Sequence, residues 1–242
     1  MVRALLVRGM LVGLAGGVLA FAFAYVFGEP QMQAAIEFED SLAAGAGEPT
    51  HAEPIGRSVQ RTIGLLIGAV ALGVAFGGLF ALGFAYAYGR IGLPGARLTA
   101  ALLALAAFTT ITVVPFTKYP ANPPSVGDPE SIDQRTLLAF AMIAITACAL
   151  VAAVRLHAQL SARLRTWDAA LVATGVFVAV IAVAQLILPA GDQAPPGFPA
   201  DVLYRFRLAS LGTSATLWLT IGLGFGVAAE RLLPPRARQA RG

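Results

Sequence analysis

The chain has 242 residues, is 57% hydrophobic and only 12% charged, and carries a formal net charge of +4 with a mean hydropathy of +0.75. Soluble domains carry about 25% charged residues, so this composition excludes an ordinary water-soluble enzyme or binding module and predicts a single integral membrane domain of the all-α class. A single cysteine, Cys148, excludes a disulfide framework and a cysteine-based metal centre, and its place inside an apolar run reads as a small core residue.

A membrane-crossing helix needs about 20 mostly apolar residues. The first such run, 4–27, carries Arg3 and Arg8 near its start and contains AFAFA, which resembles a cleavage site. It is longer than the roughly 7–15-residue core of a secretory signal, so an uncleaved first span is expected. Gly28-Glu29-Pro30 is expected to break that helix, and IEFEDSLAAG to form a short interfacial helix beyond the break. The same connection, 28–61, holds His51 between Glu48 and Glu53.

Spans two and three are expected at 62–88 and 97–116, joined by a short turn. TKYPANPPSVGDPESIDQRT follows, with four prolines, and leads into span four at 136–156. Span five is expected at 168–189, and PAGDQAPPGFPAD separates it from span six at 208–229. Residues 230–242 form a basic tail. Proline lacks a backbone donor and disfavours helix in the residue before it, so both proline-rich connections are expected to be non-helical caps.

With the N-terminus inside, the inner segments hold 11 of the 17 basic residues and two of the 13 acids, Asp168 and Glu230. The positive-inside rule then places both termini in the cytoplasm and the three long connections outside. The pI of 9.7 reports topology and contact with the lipid bilayer rather than nucleic acid, because no folded basic face is visible.

Arg61, Arg135 and Arg207 recur 74 and 72 residues apart, and Arg90, Arg163 and Arg236 recur every 73. This spacing suggests three parallel two-helix hairpins with pseudo-threefold symmetry. Glycines at fours (Gly9, Gly13, Gly17; Gly64, Gly68; Gly73, Gly77; Gly222, Gly226) predict closely packed helices.

No span centre contains Asp, Glu, His, Lys or Arg, which argues against a proton pump with a midplane carboxylate. Hydroxyls take their place at Thr109, Thr110, Thr112, Thr146, Ser210, Thr213, Ser214, Thr216 and Thr220, read mainly as helix-packing groups that can also line a cation path. Gln185, near the end of span five, is expected to bond a loop. The expected outer acids Glu29, Glu37, Asp128, Glu130, Asp133 and Asp201, with His51, are weak candidates for a cation-attracting mouth. Arg61, Lys118, Arg135, Arg205 and Arg207 are expected to form structural ion pairs with them. There is no HExxH, no P-loop and no nucleophile with a base, so no enzyme is expected and no permanently bound cofactor.

RGMLVGLAGGVLAFAFAYVFGEP (8–30), VQRTIGLLIG (59–68), VPFTKYPANPPSVGDPESIDQRT (114–136) and FPADVLYRFRLASLGT (198–213) together resemble the CbtA family of predicted cobalt transporter subunits. The resemblance runs from about residue 3 to 233, and KYPANPP-x-VGDP is its most specific block. It implies cobalt, as Co2+, for cargo, a link to cobalamin metabolism, and a small single-span CbtB-like partner that brings a histidine-rich metal motif. On that reading this chain is a permease-like scaffold. A homo-oligomer is compatible with the same sequence. The rival readings are a non-transporting membrane scaffold and a transporter of an anionic or lipid-like cargo guided by Arg61, Arg135 and Arg207.

Overall fold

A computed structural model describes residues 1–46, 56–90, 95–127, 131–191 and 194–233. Among them no strand occurs, and six helical stretches are long and apolar enough to cross a membrane: Val2–Gly45, Arg57–Ala87, Ala96–Phe116, Ile132–Leu160, Thr166–Ile187 and Ala200–Glu230. Large apolar side chains stand exposed along these helices, among them Leu79, Leu105, Phe140, Leu186 and Leu223. Lipid rather than water is the solvent that suits such faces.

The first stretch corrects an expectation. Gly28-Glu29-Pro30 does not break the helix. Helix α1 (Val2–Phe23) passes through a π-turn (Ala24–Gly28) directly into α2 (Glu29–Ala46), and Glu29 keeps helical dihedrals. A proline inside an α-helix removes one amide donor and collides with the carbonyl four residues earlier. The extra residue of the π-turn widens the backbone just before Pro30, and the Glu29 amide donates to the Ala24 carbonyl. The stretch runs for 44 residues, about 66 Å at 1.5 Å per residue, against a hydrocarbon core of about 30 Å. Its α2 part therefore reaches well beyond the apolar layer.

The chain divides into two compact units. The first comprises residues 1–108, 123–125 and 197–242, and the second 109–122 and 126–196. In the first, α1 packs along α4 (Leu65–Ala87), which follows a single turn α3 (Arg57–Val59) and a second π-turn (Gln60–Gly64). Glycine makes this possible. A Cβ on Gly9, Gly13 or Gly17 would strike the carbonyl oxygen of Gly77, Gly73 or Ala69, and one on Gly73 or Gly77 would strike that of Gly13 or Gly9. Small residues at this spacing let two backbones touch. Gly64 and Gly68 share the spacing but stand exposed, and a Cβ on Gly68 would meet nothing within 4 Å, so they take no part in the seam.

Helix α9 (Ala200–Glu230) packs on α1 and on α5 (Ala96–Phe108). Gly226 lies against α5, where an added Cβ would sit 3.1 Å from the Arg97 Cα. Phe80 and Phe84 of α4 meet Phe225 of α9 edge-to-face at 5.4 and 5.1 Å, an arrangement the ring quadrupoles favour. Span three thus pairs with span six, which is not its neighbour in sequence, and the three-hairpin repeat finds no support in this packing.

The second unit begins within span three, at a third π-turn (Thr109–Val113) followed by the short α6 (Val114–Phe116). It continues with α7 (Ile132–Leu160) and α8 (Thr166–Ile187), which pack together. Val114, Met142 and Ala184 form its buried centre, flanked by Tyr119, Ile145 and Phe177. Cys148 is exposed on α7 and is not the core residue its apolar surroundings suggested, since in lipid an outward position is as apolar as an inward one. Residues 117–127 and, where described, 188–199 are non-helical, as their prolines predict.

Candidate functional site

The first unit contains a cleft of about 240 Å³ where the first π-turn meets α2, α4 and α9. Its polar lining comes from Glu29, Ser210, Thr213 and Ser214, with the Met32 thioether and the Gly28 backbone beside them. Glu29 is placed there by the unbroken helix: had the chain turned away at Pro30, its carboxylate would have left with the loop.

Glu29 is paired. Arg57 Nη2 donates to Glu29 Oε2 at 2.6 Å, with the two side chains only 24% and 14% exposed. That burial separates this contact from a solvent-screened surface pair. The expected partner, Arg61, lies one turn further on and is exposed. The difference follows from α3, which starts at Arg57 and places this residue first at the end of the span. Arg57 Nε is buried and finds no hydrogen-bond partner among the described residues, so the guanidinium is held through one of its edges.

The hydroxyls mostly serve their own helices. Thr213, Thr216 and Thr220 donate to the carbonyls four residues earlier, as does Thr146 on α7. A hydroxyl that has given its proton inward still offers lone pairs, and Thr213 does so at the cleft wall. A carboxylate with hydroxyl oxygens is a set that attracts a cation without gripping it.

Among the described residues the other expected acids join no metal-binding group. Glu37 is exposed on α2 and accepts from Gln33 Nε2 at 3.2 Å. Asp133 is exposed in the first turn of α7, and Asp201 in the first turn of α9, where a negative charge suits the helix dipole. Asp128, Glu130 and His51 lie outside the described residues. Among the described residues no three of His, Cys, Asp and Glu come together as a metal-binding group.

The basic residues were expected to pair with acids. Lys118 donates to the Gln185 carbonyl, and Arg135, which has a further partner, donates from Nη1 to the Val126 carbonyl at 3.5 Å. Arg205 is exposed, and Arg207 is half-buried and hydrogen-bonded or otherwise partnered. A second ion pair, Arg97 to Glu230 at 2.6 Å, ties α5 to the end of α9 and was not foreseen. Three residues of the first proline-rich loop, Thr117, Lys118 and Tyr119, make a polar clasp to the end of α8 and the residues after it within the second unit. Gln185 Nε2 donates to Thr117 Oγ1 at 2.6 Å, and the Tyr119 hydroxyl donates to the Pro189 carbonyl at 2.8 Å. Burial raises the Tyr119 phenol above its usual range, which keeps it a neutral donor. The loop-bonding role expected of Gln185 is therefore met.

Compared with known protein families, residues 2–230 match the family described as "Probable cobalt transporter subunit (CbtA)". No curated protein and no solved structure gives a significant match.

Proposed function

The chain belongs to the CbtA family of probable cobalt transporter subunits, and from that premise we propose that it forms the membrane path of a cobalt uptake system, with the Glu29 cleft as the entry. The observation that carries this is a carboxylate held in a cleft walled by Ser210, Thr213 and Ser214, an arrangement that suits passage of a cation better than a closely packed scaffold. In this reading the N-terminus is cytoplasmic and the cleft opens towards the exterior of a bacterial inner membrane. Asp128, Glu130, Asp133, Asp201, Glu37 and His51 serve in this reading as weak attractors that raise the cation concentration at the outer face.

Cobalt(II) prefers imidazole and carboxylate donors, and one carboxylate with hydroxyls falls short of a tight site. Weak holding suits passage. It also leaves room for a small single-span partner that carries histidines and delivers the ion. Arg57 has a defined part: it neutralises Glu29 while the cleft is empty of cargo and is displaced when a dication arrives. The exchange avoids ever leaving a bare carboxylate in a half-buried place, which would be costly.

Cobalt accumulation in cells expressing the chain with its partner tests this. Glu29→Gln, which keeps the shape and removes the charge, is expected to lower uptake about tenfold, the factor that ~1.4 kcal/mol of lost attraction gives. Normal uptake by a well-expressed Glu29→Gln variant would overturn the assignment of the cleft.

A further inference from the structure

The π-turn of span three holds a second group of oxygens that the entry cleft does not use. Thr110 is 94% buried, being only 6% exposed, and its hydroxyl finds no hydrogen-bond partner among the described residues. That is unusual in this chain, where buried Thr99 and Thr146 both donate to a carbonyl four residues back. A buried hydroxyl without a partner is costly unless something meets it.

The backbone beside it lacks one donor. Thr109–Val113 is the π-turn, and Pro115 follows it by two residues. Proline has no amide proton. The carbonyl of Ile111 would take that proton in an α-turn, and the carbonyl of Thr110 in a π-turn, so the two compete for fewer donors than a regular helix supplies. Within a membrane, backbone freed in this way is tolerated where it is covered and where something else satisfies it.

Helix register brings a further oxygen to the same level. The π-turn packs on α7, and Val114 shares a buried cluster with Met142. Spans three and four run in opposite directions, so one turn back from Val114 and one turn on from Met142 reach the same level. Those residues are Thr110 and Thr146, and Thr146 is fully buried.

We infer that Thr110, Thr146 and the carbonyls freed by Pro115 form a binding site for a monovalent cation of the Na+ type. The donors are neutral hard oxygens, the kind that meets alkali-metal ions in interrupted membrane helices. They do not suit the cargo. The cost of desolvating an ion rises with the square of its charge, and a dication would need carboxylates. No Asp, Glu, His, Lys or Arg occurs between residues 98 and 117 or between 136 and 154. A site for a monovalent ion in a span supplies the means by which a sodium gradient can act on the protein.

The test uses the purified full chain in detergent without cobalt, so its outcome is separate from that of the Glu29 assignment. Thermal unfolding is followed as NaCl replaces choline chloride at constant ionic strength. A ligand that binds the folded state raises the melting temperature with its concentration. The wild type is expected to gain stability saturably with Na+, Thr110→Ser to retain the response, and Thr110→Val to lose it. A wild type indifferent to Na+, or a Thr110→Val protein that responds like the wild type, would overturn the site. Should Thr110→Val fail to fold, Thr146→Val serves instead: a half-saturating Na+ concentration raised about tenfold supports the site, and an unchanged one overturns it.

Discussion

Two junctions in this protein have the same backbone grammar and different chemistry. Ala24–Gly28 is followed by Glu29 and Pro30, and Thr109–Val113 by Val114 and Pro115, so each π-turn ends two residues before a proline. At the first the helix continues to Ala46, because the residues after Pro30 are helix formers and Phe38 is anchored edge-on against Phe198 at 5.1 Å. At the second the helix stops at Phe116, because Pro120, Pro123 and Pro124 follow and the clasp of Thr117, Lys118 and Tyr119 takes the chain elsewhere. The π-turn absorbs a proline in both, and what comes after decides whether the helix survives. The first junction carries a carboxylate and its arginine, whereas the second carries only hydroxyls and carbonyls.

The largest way to break the comparison is beneath the first junction. Gly13→Leu forces a side chain into the Gly73 backbone and is expected to destabilise the α1–α4 seam by on the order of 3 kcal/mol or more, read as loss of folded protein in detergent. Substitution of the prolines sharpens it. Pro115→Ala returns an amide proton to the freed carbonyls, and the Na+ dependence of melting should weaken about tenfold. Tyr119→Phe removes one hydrogen bond of the clasp and is expected to cost about 1 kcal/mol of stability. Pro30→Ala should have the smallest effect, leaving the melting temperature unchanged or slightly higher, because the helix already continues through that position. A large loss there would show that the first π-turn depends on its proline for more than geometry.

Much of the fold was legible because lipid imposes a simple rule. Runs of about 20 apolar residues gave all six spans, and glycines at fours gave the α1–α4 seam. The ends were less legible. Spans four and six start several residues earlier than the apolar runs, at Ile132 and Ala200, because Asp133, Arg135, Asp201 and Arg205 continue a helix beyond the apolar layer without changing its backbone. Pro30 misled because a π-turn carries the helix through the proline and has no apolar period to reveal it.

Site residues were legible one at a time and not in pairs. Glu29 was a candidate, but its partner Arg57 was not, since charge spacing pointed to Arg61 and the short α3 turn that selects Arg57 has no apolar pattern. Gln185 was placed correctly because a lone amide at the end of a span has few other uses. Thr110 stood in a group of similar hydroxyls, and only its missing partner separates it from Thr146.

The central claim is that cobalt enters by the charge of Glu29. The most direct test is the initial rate of Co2+ uptake into proteoliposomes holding the chain and its partner, measured against Co2+ concentration for wild type and Glu29→Gln. A half-saturating concentration about tenfold higher is expected in the variant. Superimposable curves would contradict it.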